Sequence, residues 1–217
     1  MSKERPIIMD SDSVRAILDN RKSQTRRLVK PQPESIKVIA DGKRLSINKD
    51  GFLKYEKPLD TPYGIPGDRL WVRETWAFPR FQDDLTPSGV NYTQAIFYKP
   101  DVIRRLSGPG TDGPWWMPPD RGKWRSPIHM PRWVSRLTLE IKNVRVERVQ
   151  EISEDDARRE GVDAWFPKSP ELLRYVQEGG SYRNGFHEQW DDLNAKRGYP
   201  WSSNPWVFVI EFRRIEP

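Results

Sequence analysis

The sequence predicts an α+β fold: a small mixed β-barrel with short flanking helices and a long insertion rich in tryptophan and proline. Three observations support this prediction. Segments with strand-like alternation outnumber the helical ones, the helical segments are brief, and residues 77–125 mix proline, glycine and aromatic residues with little periodicity. The chain has 217 residues, the length of one ordinary domain, so we expect a single domain over residues 1–217 with its insertion at 77–125.

The first half of the chain reads as one helix followed by short strands. Residues 11–20 are predicted to form the helix, because Val14, Ile17 and Leu18 fall on one face. Inside the insertion we predict one strand, at 94–99. The other predicted strands are short and bounded by Asp-Gly or Pro-Gly turns: 36–40, 44–47, 52–56 and 69–75.

The second half returns to regular periodicity. Apolar residues alternate over 136–149, which predicts a long half-buried strand or a strand pair, and the apolar run 206–213 predicts the last strand. Ser153 precedes three acids, the pattern of a capped helix start. Three helices are predicted here: 153–161, 170–177 and 182–194.

The composition narrows the class of protein. The chain holds no cysteine, which excludes thiol nucleophiles, cysteine–zinc sites and a disulfide scaffold. Its net charge of +6 favours an anionic partner. The mean hydropathy of -0.84 and the lack of an apolar run of about 20 residues argue against a membrane protein. With no signal peptide pattern at the N-terminus, we expect a cytoplasmic protein.

No cofactor or metal is expected. His129 and His187 are the only histidines, and they do not lie at helical or hairpin spacing from each other. The acidic run 154–156 is better explained as a helix N-terminus whose charges complement the helix dipole. The sequence also lacks a glycine-rich loop of the kind that holds phosphates.

The basic segment after the first helix is the sharpest chemical feature. Lys22 and Thr25 are three residues apart, and in a tight turn or extended loop both can point into one cleft. Crowding by Arg21, Arg26 and Arg27 should disfavour the ammonium form of Lys22, which would let it act as a general base toward the Thr25 hydroxyl. The alternative is a solvated cationic stretch, or simple phosphate contacts.

Aromatic and charged residues also alternate on the strand predicted at 69–75. Trp71 and Trp76 are five positions apart and point to opposite faces, so we expect one in the core and the other as a cleft wall. Arg73 and Glu74 likewise divide between the faces. A flat aromatic ring beside cations can hold a nucleobase, although a buried tryptophan is the ordinary alternative.

A second basic stretch, 121–136, has five cations, no acid and two interleaved tryptophans. Arg132 and Trp133 lie in its second half. Cations that meet phosphates and rings that stack on bases suit a nucleic-acid strand. The alternative is that Trp124 and Trp133 anchor the insertion.

Two runs of the sequence carry a family pattern. Residues 20–27 read Asn-Arg-Lys-Ser-Gln-Thr-Arg-Arg, and residues 66–74 read Pro-Gly-Asp-Arg-Leu-Trp-Val-Arg-Glu. Together they resemble the ASCH domain, a PUA-like β-barrel superfamily, whose hallmark is Gly-x-Lys-x-x-Glu-x-Arg after the first helix and a Gly-Asp turn into a barrel strand. Asn20 replaces the glycine, a mild change because both tolerate a left-handed helix stop, and Thr25 replaces the glutamate.

The threonine at this position is informative. Small bacterial ASCH proteins that hydrolyse N(4)-acetylcytidine carry Gly-Arg-Lys-Thr-Ile-Thr-Ile-Arg here, and their lysine, threonine and a later glutamate form the catalytic set. That glutamate follows an alanine by three residues in a short helix after a barrel strand, as Glu160 follows Ala157 here. The resemblance therefore implies Lys22, Thr25 and Glu160 as catalytic residues and hydrolysis of an N-acylated cytidine as the reaction.

A wider pattern, in runs 67–76, 128–133 and 204–213, is similar to ASCH proteins encoded by phages and prophages. It implies a bacterial or phage-infected cell, a modified nucleoside or nucleic acid as partner, and no cofactor; a monomer is favoured. A non-catalytic RNA- or DNA-binding module and an ASCH-type ribonuclease stay open as alternative functions. The residues expected to bind the substrate are Arg21, Arg26, Arg27, Trp71, Arg73, Glu74, Trp76, Arg132 and Trp133.

Overall fold

The computed structural model describes residues 2–38, 44–47, 53–54, 61–86, 96–101, 121–166 and 180–215. These residues form a mixed α+β fold with a core that is mainly β-sheet and a few short helices, which confirms the predicted fold class. The described strands do not close into a barrel, so the barrel stays a prediction. Within the same residues, no helix has the length and apolar character needed to cross a membrane.

The chain divides into two compact units. The first contains Met1–Asn20, Arg69–Glu140 and Arg214–Pro217, and the second contains Arg21–Asp68 and Ile141–Arg213. The single domain over residues 1–217 stays a prediction.

The first unit is built on strand β1 (Glu4–Ile8), which pairs in parallel with β6 (Arg69–Arg73). The other edge of β6 pairs antiparallel with the first residues of β9 (Thr138–Arg148). Strand β1 is absent from the sequence prediction, because its Glu-Arg-Pro start shows no alternation and its partner lies more than sixty positions away.

Helix α1 (Ser11–Leu18) confirms the first predicted helix. It begins after Asp10, whose carboxylate accepts a hydrogen bond from the backbone N–H of Ser13 at 2.7 Å. It is followed by Asn20 with φ of 56°, the left-handed conformation that Gly or Asn adopts at such a helix end.

One buried cluster of the first unit includes residues at the start of the region predicted as an insertion. Strand β7 (Trp76–Ala77) pairs antiparallel with β8 (Phe97–Tyr98), and a buried cluster forms around the side chains of Trp76 and Phe78. Their rings are perpendicular, with centroids 4.8 Å apart. Trp133 also stacks on Phe78, at 6.2 Å. The predicted strand 94–99 is present over β8, and its first residues, like Trp115 and Trp116, lie outside the described residues.

The second unit has two groups of strands. Strand β10 (Trp206–Ile215) lies between β9 and β2 (Gln24–Leu28). Strands β3 (Ser35–Val38), β4 (Arg44–Ile47) and β5 (Leu53–Lys54) pair antiparallel in order, and the Asp-Gly turns predicted between them lie outside the described residues.

Strand β2 differs from the sequence prediction, which placed this basic segment in a turn or extended loop. It pairs antiparallel with β10, with Thr25 opposite Ile210 and Arg26 opposite Val209. Tertiary pairing with the apolar strand β10 outweighs the weak strand propensity of a cationic segment.

Two helices cover one face of β10. Helices α2 (Glu154–Arg159) and α3 (Tyr182–Asn194) confirm two of the predicted helices, and the third, at 170–177, lies outside the described residues. Ala157 of α2 and Phe186 and Trp190 of α3 share a buried cluster with Val207 and Val209 of β10. This packing fixes α2 against the sheet, and the end of α2 is where the candidate site lies.

Replacing Trp76 with alanine should destabilise the first unit much more than replacing Trp133. Both rings contact Phe78, but Trp76 is completely buried whereas Trp133 is 50% exposed. We expect Trp76→Ala to lower the free energy of unfolding by about 3–5 kcal/mol because it leaves a cavity, and Trp133→Ala to cost about 1 kcal/mol or less. Urea unfolding followed by circular dichroism measures both, and equal losses would contradict this core.

Candidate active site

A buried ion pair joins Lys22 to Glu160. The Lys22 Nζ donates to Glu160 Oε2 at 2.9 Å and to the Glu160 carbonyl oxygen at 2.6 Å. The two side chains are only 4% and 3% exposed. Opposite charge therefore contacts the Lys22 ammonium directly, in place of the like charge that the neighbouring arginines suggested from sequence.

The backbone brings these two residues together. Lys22 and Glu160 form an antiparallel β-bridge, and the N–H of Ser23 donates to the carbonyl of Arg159 at 2.9 Å. Ser153 is the N-terminal cap of α2, where its hydroxyl accepts from the N–H of Asp156 at 3.0 Å, and Glu160 is the C-terminal cap. The short capped helix thus places Glu160 beside Lys22, two residues before β2.

Arg26 shares the Glu160 carboxylate with Lys22. Its Nη1 donates to Glu160 Oε1 at 3.0 Å, so each carboxylate oxygen of Glu160 faces a different cation. The remaining described bonds of the guanidinium go to Glu147 and Asp156. The Arg26 side chain has no exposed surface, and its guanidinium carbon lies 5.6 Å from the centre of the Phe186 ring.

These contacts belong to a larger ion-pair network. Arg145 donates to Glu147 at 3.0 Å, to Asp156 at 2.8 Å and to Glu211. Arg159 donates to Asp156 at 2.7 Å. Apart from the exposed Asp155, which pairs with Arg159, the network among the described residues joins four cations to four carboxylates: Lys22, Arg26, Arg145 and Arg159 with Glu147, Asp156, Glu160 and Glu211.

Asp156 is the most connected acid of this network. Burial by itself raises the pKa of its carboxyl, but the positive charges of Arg145, Arg26 and Arg159 outweigh burial and hold that pKa below its usual value. Its carbonyl also accepts from the buried amide of Gln24 at 2.6 Å. Asp156 is therefore ionised at neutral pH and orients cations on several elements.

The other two predicted site residues of β2, Thr25 and Arg27, lie on the face of the strand opposite to Arg26. Gln24 and Arg26 share the face that α2 covers, whereas Thr25 and Arg27 project from the other face. Thr25 is buried, and Arg27 is half-buried opposite Phe208. The structure thus brings Lys22, Arg26 and Glu160 together and places Thr25 on the far side of the same strand from Arg26.

Arg21 lies at the exposed rim of the second unit. Its Nη1 donates to the carbonyl of Gly161 at 3.2 Å and lies 3.6 Å from the carboxylate of Asp163. It can reach solvent and the residues that follow Glu160, but it does not belong to the buried network.

The other predicted binding residues lie in the first unit. Trp71 is nearly buried, with the guanidinium of Arg73 4.6 Å and that of Arg132 6.0 Å from its ring centre. Arg132 pairs with Glu4 at 3.0 Å. Both tryptophans that the sequence divided between core and cleft are buried, and the guanidinium of Arg125 lies 5.7 Å from the ring centre of Trp76.

Glu74 lies in a second buried ion cluster of the first unit. Its two carboxylate oxygens each accept a hydrogen bond of 3.0 Å from Arg136, which also pairs with Asp101 at 2.8 Å. Burial raises the pKa of Glu74, and the bonds from Arg136 lower it only in part. Burial also raises the pKa of Tyr98, whose ring lies 4.0 Å from the Arg136 guanidinium, to about 12.

Sequence reasoning missed the network beyond Lys22, Arg26 and Glu160. Arg145 and Glu147 alternate with apolar residues on β9, and Glu211 is an acid within the apolar run of β10. These charged residues within apolar stretches were the sequence signal that could have indicated the network. Among the described residues no three of His, Asp and Glu converge as metal ligands would, and each acid of the network faces an arginine or lysine.

No family model, curated protein or solved structure matches the chain. The ASCH resemblance accordingly stays a prediction that depends on the sequence runs given above. The geometry of the second unit defines its chemical possibilities. It holds a buried carboxylate between a lysine and an arginine, close to the start of a strand.

Replacing Asp156 tests this network through its pH dependence. Because its pKa is held below the usual value, ionised Asp156 stabilises the folded second unit at neutral pH, and this contribution is lost as the pH falls through the lowered pKa. We expect Asp156→Asn to unfold at lower urea concentration than the wild type at neutral pH, and the difference to shrink below a pH of about 4.

The matched control is Asp155→Asn, one residue away, where the carboxylate is exposed and pairs only with Arg159 among the described contacts. It should change the urea midpoint little at any pH. A gap between wild type and Asp156→Asn that stays constant from neutral to acid pH would contradict the assigned role.

Proposed function

We propose that this protein is an ASCH-type, PUA-like hydrolase that cleaves the amide bond of an N-acylated cytidine, with Lys22 and Glu160 as the proton-transfer pair. The observation that carries the proposal is the buried Lys22–Glu160 contact of 2.9 Å. The motif over residues 20–27 and the spacing of Ala157 and Glu160 support the substrate class by resemblance.

The pair is suited to proton transfer because its members start with opposite charge and end neutral. The Glu160 carboxylate accepts a proton from the Lys22 ammonium, which leaves an amine on Lys22 and a carboxylic acid on Glu160. Both groups are buried, so water does not compete for these protons. Glu160 uses two of the three Lys22 donors, and no contact with the residues that the structure describes uses the third, which can meet the reacting group.

The chemical step then uses both neutral groups. The Lys22 amine takes the hydroxyl proton of Thr25 as Thr25 Oγ attacks the acyl carbonyl carbon. The carboxylic acid of Glu160 gives its proton to the exocyclic nitrogen as the carbon–nitrogen bond breaks, and cytidine leaves. Water hydrolyses the acyl-threonine ester, and Lys22 and Glu160 are again ammonium and carboxylate.

The identity of the nucleophile is the part of this mechanism that depends on the resemblance alone. Thr25 is buried in β2 and follows Lys22 by three residues, but it projects from the face opposite to Arg26. A water molecule activated by Lys22 would give the same products without an acyl-enzyme. The variant Thr25→Val therefore distinguishes the two routes.

The test is release of cytidine from N(4)-acetylcytidine, followed by chromatography. We expect Lys22→Met and Glu160→Gln each to lower kcat/KM by about 100-fold or more, because each removes a proton-transfer group. Lys142→Met, which removes an exposed lysine of β9 in the same unit, is the matched control and should keep wild-type activity. Circular dichroism checks that each variant is folded. If Lys22→Met does not fold, Lys22→Arg, which retains the positive charge, takes its place in the comparison.

The following results distinguish the functions that the sequence leaves open and identify the nucleophile. Unchanged turnover in Lys22→Met and Glu160→Gln would contradict the proposal, whereas loss of turnover in Thr25→Val assigns the nucleophile to threonine. Incubation with labelled RNA, with and without magnesium, tests for a ribonuclease. RNA binding that weakens steeply with salt and gives no product would instead indicate a binding module.

A further inference from the structure

We propose that Arg26 is a positioning residue that fixes the Glu160 carboxylate for proton exchange with Lys22, and that it does not bind the substrate. The kinetic consequence of this inference rests on the proposed function. Its structural consequence rests only on the geometry of the second unit. It replaces the substrate-binding role that sequence suggested for Arg26.

The hydrogen bonds of Arg26 leave little for a ligand. A guanidinium has five N–H donors. Arg26 uses one for Glu160 Oε1, two for Glu147 Oε1 at 3.2 and 2.5 Å, and one for Asp156 Oδ2 at 3.3 Å. Its side chain has no exposed surface. A substrate could therefore reach Arg26 only after the protein carboxylates had released it.

The surroundings of Arg26 hold it in one orientation. Glu147 and Asp156, which accept its bonds, are themselves fixed by Arg145 at 3.0 and 2.8 Å. The ring of Phe186 lies under the guanidinium and packs in the buried cluster of α2, α3 and β10. Arg26 is thus a rigid donor, and rigidity is what a positioning group requires.

The consequence falls on Glu160. With Oε1 held by Arg26, the oxygen that faces Lys22 is Oε2, at 2.9 Å from Nζ. Without Arg26 the Glu160 carboxylate could rotate, so that either of its oxygens could accept from Lys22 Nζ or from a nearby backbone donor. Misplacing a proton-transfer group in this way slows the chemical step and leaves substrate affinity intact.

The kinetic test separates positioning from substrate binding. We expect Arg26→Gln to lower kcat by about 100-fold with KM unchanged, and Arg26→Lys to recover part of kcat, because a lysine supplies charge but not the fork of donors. Arg158→Gln, which removes an exposed arginine of α2, is the matched control and should keep wild-type kcat. A raised KM with unchanged kcat would overturn the proposal and restore a binding role for Arg26.

A second measurement needs no turnover. In protein labelled with nitrogen-15 at the lysine side chains, the Lys22 ammonium resonance is assigned by its loss in Lys22→Arg. We expect Arg26→Gln to shift or broaden this resonance, because Glu160 is no longer held, and Arg158→Gln to leave it unchanged. If Arg26→Gln does not fold, Arg26→Lys serves for the same comparison.

The two measurements distinguish the two proposals. A wild-type protein that does not hydrolyse N(4)-acetylcytidine, together with a Lys22 resonance that responds to Arg26, would end the proposed function and retain the positioning of Glu160. A Lys22 resonance that is the same in wild type, Arg26→Gln and Arg26→Lys would overturn the positioning role, whatever the turnover.

Discussion

The structure of the second unit depends on one requirement: the Glu160 carboxylate is buried and must be neutralised where it lies. Lys22 and Arg26 meet this requirement from the start of β2, one on each oxygen. An uncompensated buried charge is strongly destabilising, so the position of Glu160 at the end of α2 and the pairing of β2 with β10 are coupled. The same contact that holds the helix to the strand supplies the proton-transfer pair of the proposed reaction.

Charge compensation extends outward from this contact. Arg26 needs Glu147 and Asp156, and these acids in turn meet Arg145 and Arg159. Lys22, Arg26 and Glu160 are almost completely desolvated, so removing one of these three leaves a buried charge with less compensation. The first unit applies the same rule on a smaller scale, where Arg136 lies between Glu74 and Asp101 and stacks on Tyr98.

The helices and apolar strands were predictable from sequence, whereas the pairing of charges was not. Caps and amphipathic spacing located α1, α2 and α3, and the apolar run 206–213 located β10, because these signals are local. Strand β2 was hidden by its cations, which are compensated by acids more than a hundred positions away. Of the site, the motif predicted Lys22 and Glu160, and the structure brings them together. Arg145, Glu147 and Glu211 could not be assigned without tertiary contacts.

A double-mutant cycle between Lys22 and Glu160 tests the central claim most directly. The free energy of unfolding is measured for the wild type, Lys22→Met, Glu160→Gln and the double variant. A buried, directly bonded pair predicts that the double variant loses less stability than the sum of the single losses, by about 1–3 kcal/mol. A coupling energy below about 0.5 kcal/mol, as exposed pairs give, would contradict the account of the second unit.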